Sequence, residues 1–280
     1  MGHAPGMVAW PEAAPERQRA SLYGAFGELS RRLLAARLDA LIFFTAEHWT
    51  NYFLDHLSAF CVGRAEHYDG PVEPWLQLPP ARVGGDTCLA KALLDACYAQ
   101  DVEPGFSYEM QLDHGTMIPV HFLTPSLRLP IVPIVINTLA PPYPSARRCL
   151  TLGRIAGEVA RDWPQRIGFV ASGGMSHDPG ERQHGRIDAD FDRRFLEYMC
   201  AADLQSLARY RAEDFAAAGA GAIELLSWIT LAGALQRFSG EVIAYEAVAA
   251  WATGIGAMSF DIGGQSSRDS FVRQSGRRRA

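Results

Sequence analysis

The stretch Leu38-Asp-Ala-Leu-Ile-Phe-Phe-Thr45 is a short apolar run that ends directly before Ala46-Glu47-His48-Trp49. A run of this length and composition is typical of a strand that is buried on both faces of a sheet. Leu129–Asn137 and Arg166–Ser172 have the same character, and Phe106–Gln111 indicates a weaker strand. These segments predict the strands of one central sheet.

Segments with helical periodicity or helix caps lie between these strands and after them. Predicted helices cover 13–37, Asp86 to about Gln100, Ser145 to about Asp162, 188–212 and 220–237. Residues 62–85, rich in Gly and Pro, predict a long loop, and Val242–Met258 is open between helix and strand. Alternating strands and helices predict a single α/β domain with a mainly parallel or mixed central sheet flanked by helices.

Composition and charge exclude several classes of protein. The 280-residue chain is 48% hydrophobic and 20% charged and carries a net charge of −5, which gives no reason to expect nucleic acid as a partner. Its five cysteines form no CxxC pair, and its apolar runs are too short to span a membrane. Glycine-rich nucleotide-binding motifs and the GxSxG motif are absent. We therefore expect a cytoplasmic protein with reduced cysteines.

Histidines follow three of the predicted strands, where open α/β sheets place their ligands. His48 follows the first run, His114 follows Phe106–Gln111, and His177 follows Arg166–Ser172. If the three converge, metal or acid–base chemistry is indicated. Taken singly, each is also compatible with a solvated or hydrogen-bonded loop histidine.

Two further candidates depend on their surroundings. Glu224 lies among Ile, Leu and Trp in a predicted helix, where a buried carboxylate needs a partner or a metal; the alternative is an exposed stripe of that helix. His3 has only Met1 and Gly2 before it. It can be read as a frayed end as readily as a ligand.

Six segments, in chain order along nearly the whole sequence, resemble motifs of one enzyme family. They are His3-Ala4-Pro5-Gly6, Leu41–Phe53 with His48, Leu112-Asp113-His114-Gly115 followed by Pro119, Gly173–His177 (Gly-Gly-Met-Ser-His), Ile223–Trp228 with Glu224, and Gly254-Ile255-Gly256-Ala257-Met258. The chain resembles the class III extradiol dioxygenases, the family of the protocatechuate 4,5-dioxygenase β subunit and 2,3-dihydroxyphenylpropionate 1,2-dioxygenase.

The resemblance implies a role for each candidate residue. His3, His48 and Glu224 would bind non-haem Fe(II), His177 would be the acid–base residue, and His114 would position a substrate hydroxyl or bound oxygen. The implied activity is extradiol cleavage of a catechol by O2, in the catabolism of aromatic compounds, with a muconic semialdehyde-type product. Residues 1–262 would form the catalytic domain, and 263–280 a flexible C-terminal tail.

Other interpretations remain open at this point. A zinc-dependent protein could use the same two histidines and carboxylate, and a non-catalytic protein could retain the same fold. Members of the family differ in assembly, so we expect a homo-oligomer, with a small α subunit as the alternative. The identity of the catechol is not predicted.

Overall fold

The central sheet is built from the apolar runs that the sequence singled out. The computed structural model describes residues 1–125, 129–179 and 185–262. Its strands, in chain order, are β1 Ala40–Thr45, β2 Phe60–Gly63, β3 His67–Gly70, β4 Ala81–Gly84, β5 Gly105–Ser107, β6 Ile131–Ile136, β7 Ile167–Ser172, β8 Ser239–Val248 and β9 Thr253–Asp261.

Five of these strands form a mixed sheet in the order β5-β2-β6-β1-β7. β1 runs parallel to both β6 and β7, whereas β2 is antiparallel to β6. Alternate side chains of β1 enter different cores, Ile42 and Phe44 on one face and Leu41 and Phe43 on the other. Burial on both faces explains why this strand is a continuous apolar run.

Helices cover both faces of the sheet. They are α1 Gly6–Ala9, α2 Glu16–Ala35, α3 Thr87–Tyr98, α4 His114–Leu123, α5 Ala146–Asp162, α6 Ala189–Cys200, α7 Leu204–Leu207, α8 Ala212–Ala218 and α9 Leu226–Leu235. The predicted caps Asp86 and Ser145 do accept hydrogen bonds from the first turns of α3 and α5. α5 and α9 pack closely because Gly153 and Gly157 lie against the backbone of α9.

Some local predictions were wrong, and one segment had been left open between helix and strand. The segment 62–85 is not simply a loop, because His67–Gly70 and Ala81–Gly84 pair as an antiparallel hairpin. The predicted helix 188–212 is broken after Cys200, where Ala202 has a positive φ and Asp203 caps a new short helix. The ambiguous segment 242–258 belongs to the β8–β9 hairpin.

The prediction of a single α/β domain with a mixed central sheet and flanking helices is confirmed. The predicted flexible tail, residues 263–280, lies outside the part of the chain that the structure describes. In the described ranges, every helix is too short or too polar to cross a lipid bilayer.

Candidate active site

All five predicted site residues lie together at the carboxyl end of the sheet. Thr45 and Ser172 are register partners at the ends of β1 and β7, so the segments that leave these strands start side by side. One segment carries His48 and the other carries His177. His114 begins α4, Glu224 lies in the 3-10 helix Ala220–Leu225, and His3 approaches from the amino-terminal segment.

His3 is anchored despite the short segment before it. The Gly2 amide donates to the Gly256 carbonyl at 2.7 Å, which ties the segment to β9. The Ser172 hydroxyl donates to the Gly115 carbonyl at 2.6 Å, so it accepts from His3 Nδ1 at 2.8 Å. This arrangement leaves a lone pair on His3 Nε2. Burial lowers the pKa of His3 to about 3, so the ring is neutral near neutral pH.

His48 is held from behind by a buried carboxylate. Asp113 Oδ2 accepts from both the backbone amide and Nδ1 of His48, at 3.0 and 2.9 Å. Burial alone would lower the pKa of His48, but Asp113 and Glu224 outweigh it and raise the pKa well above its usual value. For Asp113 the signs are reversed, because burial would raise the pKa of a carboxyl group. The nearby His48 outweighs burial and lowers the pKa of Asp113 to about 2. The site therefore attracts positive charge.

Glu224 is buried, with 6% of its surface exposed, so the interpretation as an exposed helix stripe was wrong. Its Oε2 accepts from the Gly174 amide at 2.7 Å. Burial alone would raise the pKa of Glu224, but the neighbouring His177 and His3 hold it well below its usual range. The carboxylate is thus ionised and faces the histidines.

Three side chains that could bind a metal converge at one point. When His3 and His48 are neutral with hydrogen on Nδ1, no hydrogen lies between their Nε2 atoms and the Glu224 carboxylate. His3 Nε2 lies 3.4 Å from His48 Nε2, and each of these nitrogens lies 3.4 Å from a Glu224 oxygen. Lone pairs this close need a cation or an added proton between them. Metal–ligand bonds of about 2.1 Å would place neighbouring ligand atoms roughly 3.0–3.4 Å apart. The residues present therefore fit a metal ion.

A second grouping shares two of these residues. Ring nitrogens of His3, His48 and His114 all lie within 4.8 Å of one another and could also hold a metal. The set with Glu224 is tighter, since the distances between its metal-facing atoms are all 3.4 Å. It also supplies a negative charge, which a divalent cation favours.

His177 lies beside this centre with one nitrogen directed into it. Nδ1 donates to the Met175 carbonyl at 2.8 Å, and Nε2 lies 3.3 Å from Glu224 Oε1. Burial would lower the pKa of His177, but Glu224 outweighs burial and raises it. Gly221 packs against the ring so closely that a Cβ there would collide with Nε2.

His114 lies on the other side, with its ring centroid 3.9 Å from that of His48. Its Nδ1 contacts Glu73 Oε1 at 2.6 Å. Glu73 was not found by sequence reasoning, because it lies in the segment predicted to be a loop and 41 residues from its partner. The indole rings of half-exposed Trp75 and Trp10 stack with their centroids 6.2 Å apart. The ring centroid of Trp75 lies 6.3 Å from that of His114.

The mixed sheet and the cluster of histidines with a buried glutamate define an α/β protein with a site suited to a metal. The family model described as the catalytic LigB subunit of aromatic ring-opening dioxygenase matches residues 1–256. The chain therefore belongs to this family of ring-cleaving extradiol dioxygenases, which confirms the resemblance.

Curated relatives carry a consistent name. The 2,3-dihydroxyphenylpropionate/2,3-dihydroxicinnamic acid 1,2-dioxygenase of Burkholderia vietnamiensis is 28% identical over 82% of this chain and 88% of its own length. The enzyme of the same name from Photorhabdus laumondii is 32% identical over 69% of this chain and 60% of its own length. An uncharacterized Escherichia coli K12 protein of known structure shares the fold, with a TM-score of 0.55, 16% identity, and coverage of 84% of this chain and 91% of that one.

Proposed function

We propose that this ring-cleaving dioxygenase depends on Fe(II) and opens a catechol next to its diol, giving a muconic semialdehyde-type product. The observation that carries the proposal is the convergence of His3 Nε2, His48 Nε2 and the Glu224 carboxylate at mutual distances of 3.4 Å. Two histidines and one carboxylate are the ligands typical of non-haem Fe(II) oxygenases.

The choice of iron rests on the reaction as well as on the ligands. The same donor set would also hold Zn2+, which makes a zinc-dependent protein the second candidate. Ring opening by O2 needs a redox-active centre, and zinc has no redox chemistry. Bound Fe(II) would supply the electron transfer between an electron-rich catecholate and O2. Membership in the dioxygenase family therefore favours iron over zinc, and catalysis over a non-catalytic role.

His177 is proposed to move the proton. Its Nδ1 donates to a backbone carbonyl, so the neutral ring offers the Nε2 lone pair to the site. The negative charge of Glu224 stabilises the ring once it is protonated. His177 can thus accept a proton from a catechol hydroxyl and return it later in the same turnover.

His114 is proposed to orient the substrate. Its Nδ1 is engaged by Glu73, which leaves the Nε2 lone pair to accept a hydrogen bond from a substrate hydroxyl. Asp113 and Ser172 make the corresponding contacts to His48 and His3, so both proposed ligand rings have their orientation fixed.

The substrate is proposed to be a catechol with an apolar or propionate-type substituent. The relatives are named for 2,3-dihydroxyphenylpropionate and its cinnamic analogue. Trp75, which is half-exposed and lies 6.3 Å from the His114 ring, offers an aromatic surface for contact with the substrate. A cytoplasmic location is still a prediction. Assembly as a homo-oligomer is also still a prediction, with a small α subunit as the alternative. Light scattering of the purified chain would test the assembly.

Anaerobic reconstitution followed by a substrate panel tests this function. The protein is loaded with Fe(II) or with Zn(II) and given 2,3-dihydroxyphenylpropionate, protocatechuate or gallate, while O2 uptake and visible absorbance are recorded. We expect uptake and a yellow product with Fe(II) only, and neither with Glu224→Ala. Equal turnover with zinc, or no turnover with either metal, would contradict the proposal.

A further inference from the structure

One carboxylate beside the site lies behind the proposed substrate-orienting histidine and contacts both its backbone and its ring. Glu73 Oε1 accepts from the His114 backbone amide at 3.1 Å and contacts the ring Nδ1 at 2.6 Å. The other oxygen, Oε2, is buried and has no hydrogen-bond partner among the described residues. Only 13% of the Glu73 side chain is exposed. Burial at this level is costly for a carboxylate unless it is paired and hydrogen-bonded, which makes the contact with His114 the main compensation.

We propose that Glu73 is a positioning residue that fixes the tautomer and orientation of His114, so that Nε2 points at the substrate. The inference rests on the proposed function, since it concerns the same ring-opening site. A carboxylate only accepts hydrogen bonds, so it favours the tautomer with hydrogen on Nδ1. The lone pair then lies on Nε2. In histidine-dependent enzymes, the group behind the ring sets which nitrogen faces the substrate.

The chain around Glu73 is tied to the segment that carries His114. The Leu112 amide donates to the Asp69 carbonyl at 2.9 Å, and the Val72 amide donates to the Leu112 carbonyl at 3.1 Å. Leu76, which is fully buried, closes the 3-10 helix Pro74–Leu76 that follows Glu73. Glu73 is thus held in register with the start of α4.

The same segment also places Trp75 near the His114 ring. Trp75 lies 6.3 Å from His114 at an interplanar angle of 50°, and it stacks on Trp10. Glu73 and Trp75 are therefore two constraints from one short segment on the same imidazole. A substitution at Glu73 is expected to release the ring without removing Trp75.

A purely structural role would be helix capping. Glu73 accepts from the first backbone amide of α4, as a capping side chain does. Capping alone requires no contact with the ring, and its loss would reduce stability without acting through His114. The two roles predict different results in a double-mutant cycle.

The test compares Glu73→Leu, Glu73→Gln, His114→Leu and the double variant Glu73→Leu/His114→Leu in the Fe(II)-loaded enzyme. We expect Glu73→Leu to lower kcat/KM by about 10- to 100-fold, by analogy with the carboxylates that orient metal-ligating histidines. Glu73→Gln retains an acceptor oxygen and should recover part of this loss. The double variant should be no slower than His114→Leu alone.

A spectroscopic readout separates this inference from the proposed function. Nitrogen-15 NMR of histidine-labelled, Zn(II)-loaded protein reports which ring nitrogen carries hydrogen, and His114→Leu assigns the resonance. We expect hydrogen on Nδ1 in the wild type and a mixed or reversed tautomer in Glu73→Leu. Multiplicative kinetic losses in the double variant, or an unchanged tautomer, would overturn the role of Glu73. If the wild type takes up no O2, the proposed function is refuted. The NMR result then decides the role of Glu73 by itself.

Discussion

The imidazole rings of His48 and His114 lie close together, with their centroids 3.9 Å apart and their planes tilted by 34°. Each ring is held at Nδ1 by its own carboxylate, Asp113 at 2.9 Å and Glu73 at 2.6 Å. The two histidine–carboxylate pairs therefore present Nε2 atoms to one shared space. We propose that the first pair serves the metal and the second serves the substrate.

Asp113→Ala should weaken metal binding. Asp113 fixes the His48 ring through Nδ1 and also holds its backbone amide, so its loss frees a proposed ligand. We expect about 10- to 100-fold lower affinity in an anaerobic Fe(II) titration. The control is Asp95→Ala, an exposed carboxylate paired with Lys91. Equal affinities of the two variants would refute this role for Asp113.

His177→Ala should reduce turnover while iron is retained. The residue is not part of the proposed ligand set, and general acid–base groups contribute about 10²- to 10⁴-fold to rate. We expect a fall in kcat of that size, with iron content measured in the same sample. His67→Ala, at an exposed position of the β3–β4 hairpin, serves as the control. Loss of iron together with activity would show that His177 supports the metal instead.

Gly221→Ala should disturb the same histidine from outside. A Cβ at Gly221 would collide with the ring of His177, so the ring must move. We expect a lower kcat in a protein that still binds iron and melts cooperatively. Gly24→Ala is the matched control, because nothing lies within 4 Å of its Cβ in α2. That helix should gain about 0.5–1 kcal/mol. Wild-type kcat in Gly221→Ala would contradict the packing described.

Asp192→Asn should change how stability depends on pH. Burial raises the pKa of Asp192, against the hydrogen bonds from Tyr245 and Ser176. The folded state therefore holds this proton more tightly than the unfolded chain. The stabilisation is complete below the ordinary pKa of about 4 and is lost as pH rises through the folded value.

Urea unfolding across about pH 4 to 7 measures this effect. The free energy of unfolding of the wild type, relative to Asp192→Asn, should decrease as pH rises. A constant offset between the two proteins would reflect only the altered hydrogen bonds to Ser176 and Tyr245. A difference that grows in favour of the wild type with rising pH would contradict the raised pKa.

The sequence predicted the parts of the fold that depend on local pattern. The strand runs that became β1, β6 and β7 are apolar because both faces of the sheet are covered. The caps Asp86 and Ser145 act within a single turn of chain, so their effect is readable locally. Parts that depend on distant partners were missed, such as strand β2, whose neighbours in the sheet are β5 and β6.

The site residues also differ in whether a local pattern in the sequence could reveal them. His48 and His177 were found because each follows a buried strand, and the register pairing of Thr45 with Ser172 brings the two segments together. His114 was found for a partly wrong reason, since it begins a helix instead of following a long strand. Glu73 carries no local signal, because only the packing of residues 69–72 against Leu112 brings it to the ring.

The most direct test of the central claim is to identify the product formed from 2,3-dihydroxyphenylpropionate by the Fe(II)-loaded protein under isotopically labelled O2. We expect a yellow ring-opened product, cleaved beside the diol, whose new carbonyl and new carboxylate together contain both atoms of the labelled O2 on mass spectrometry under rapid quench. We also expect Glu224→Ala to form none. A colourless diacid cleaved between the hydroxyls, or an intact catechol with O2 unconsumed, would contradict the account.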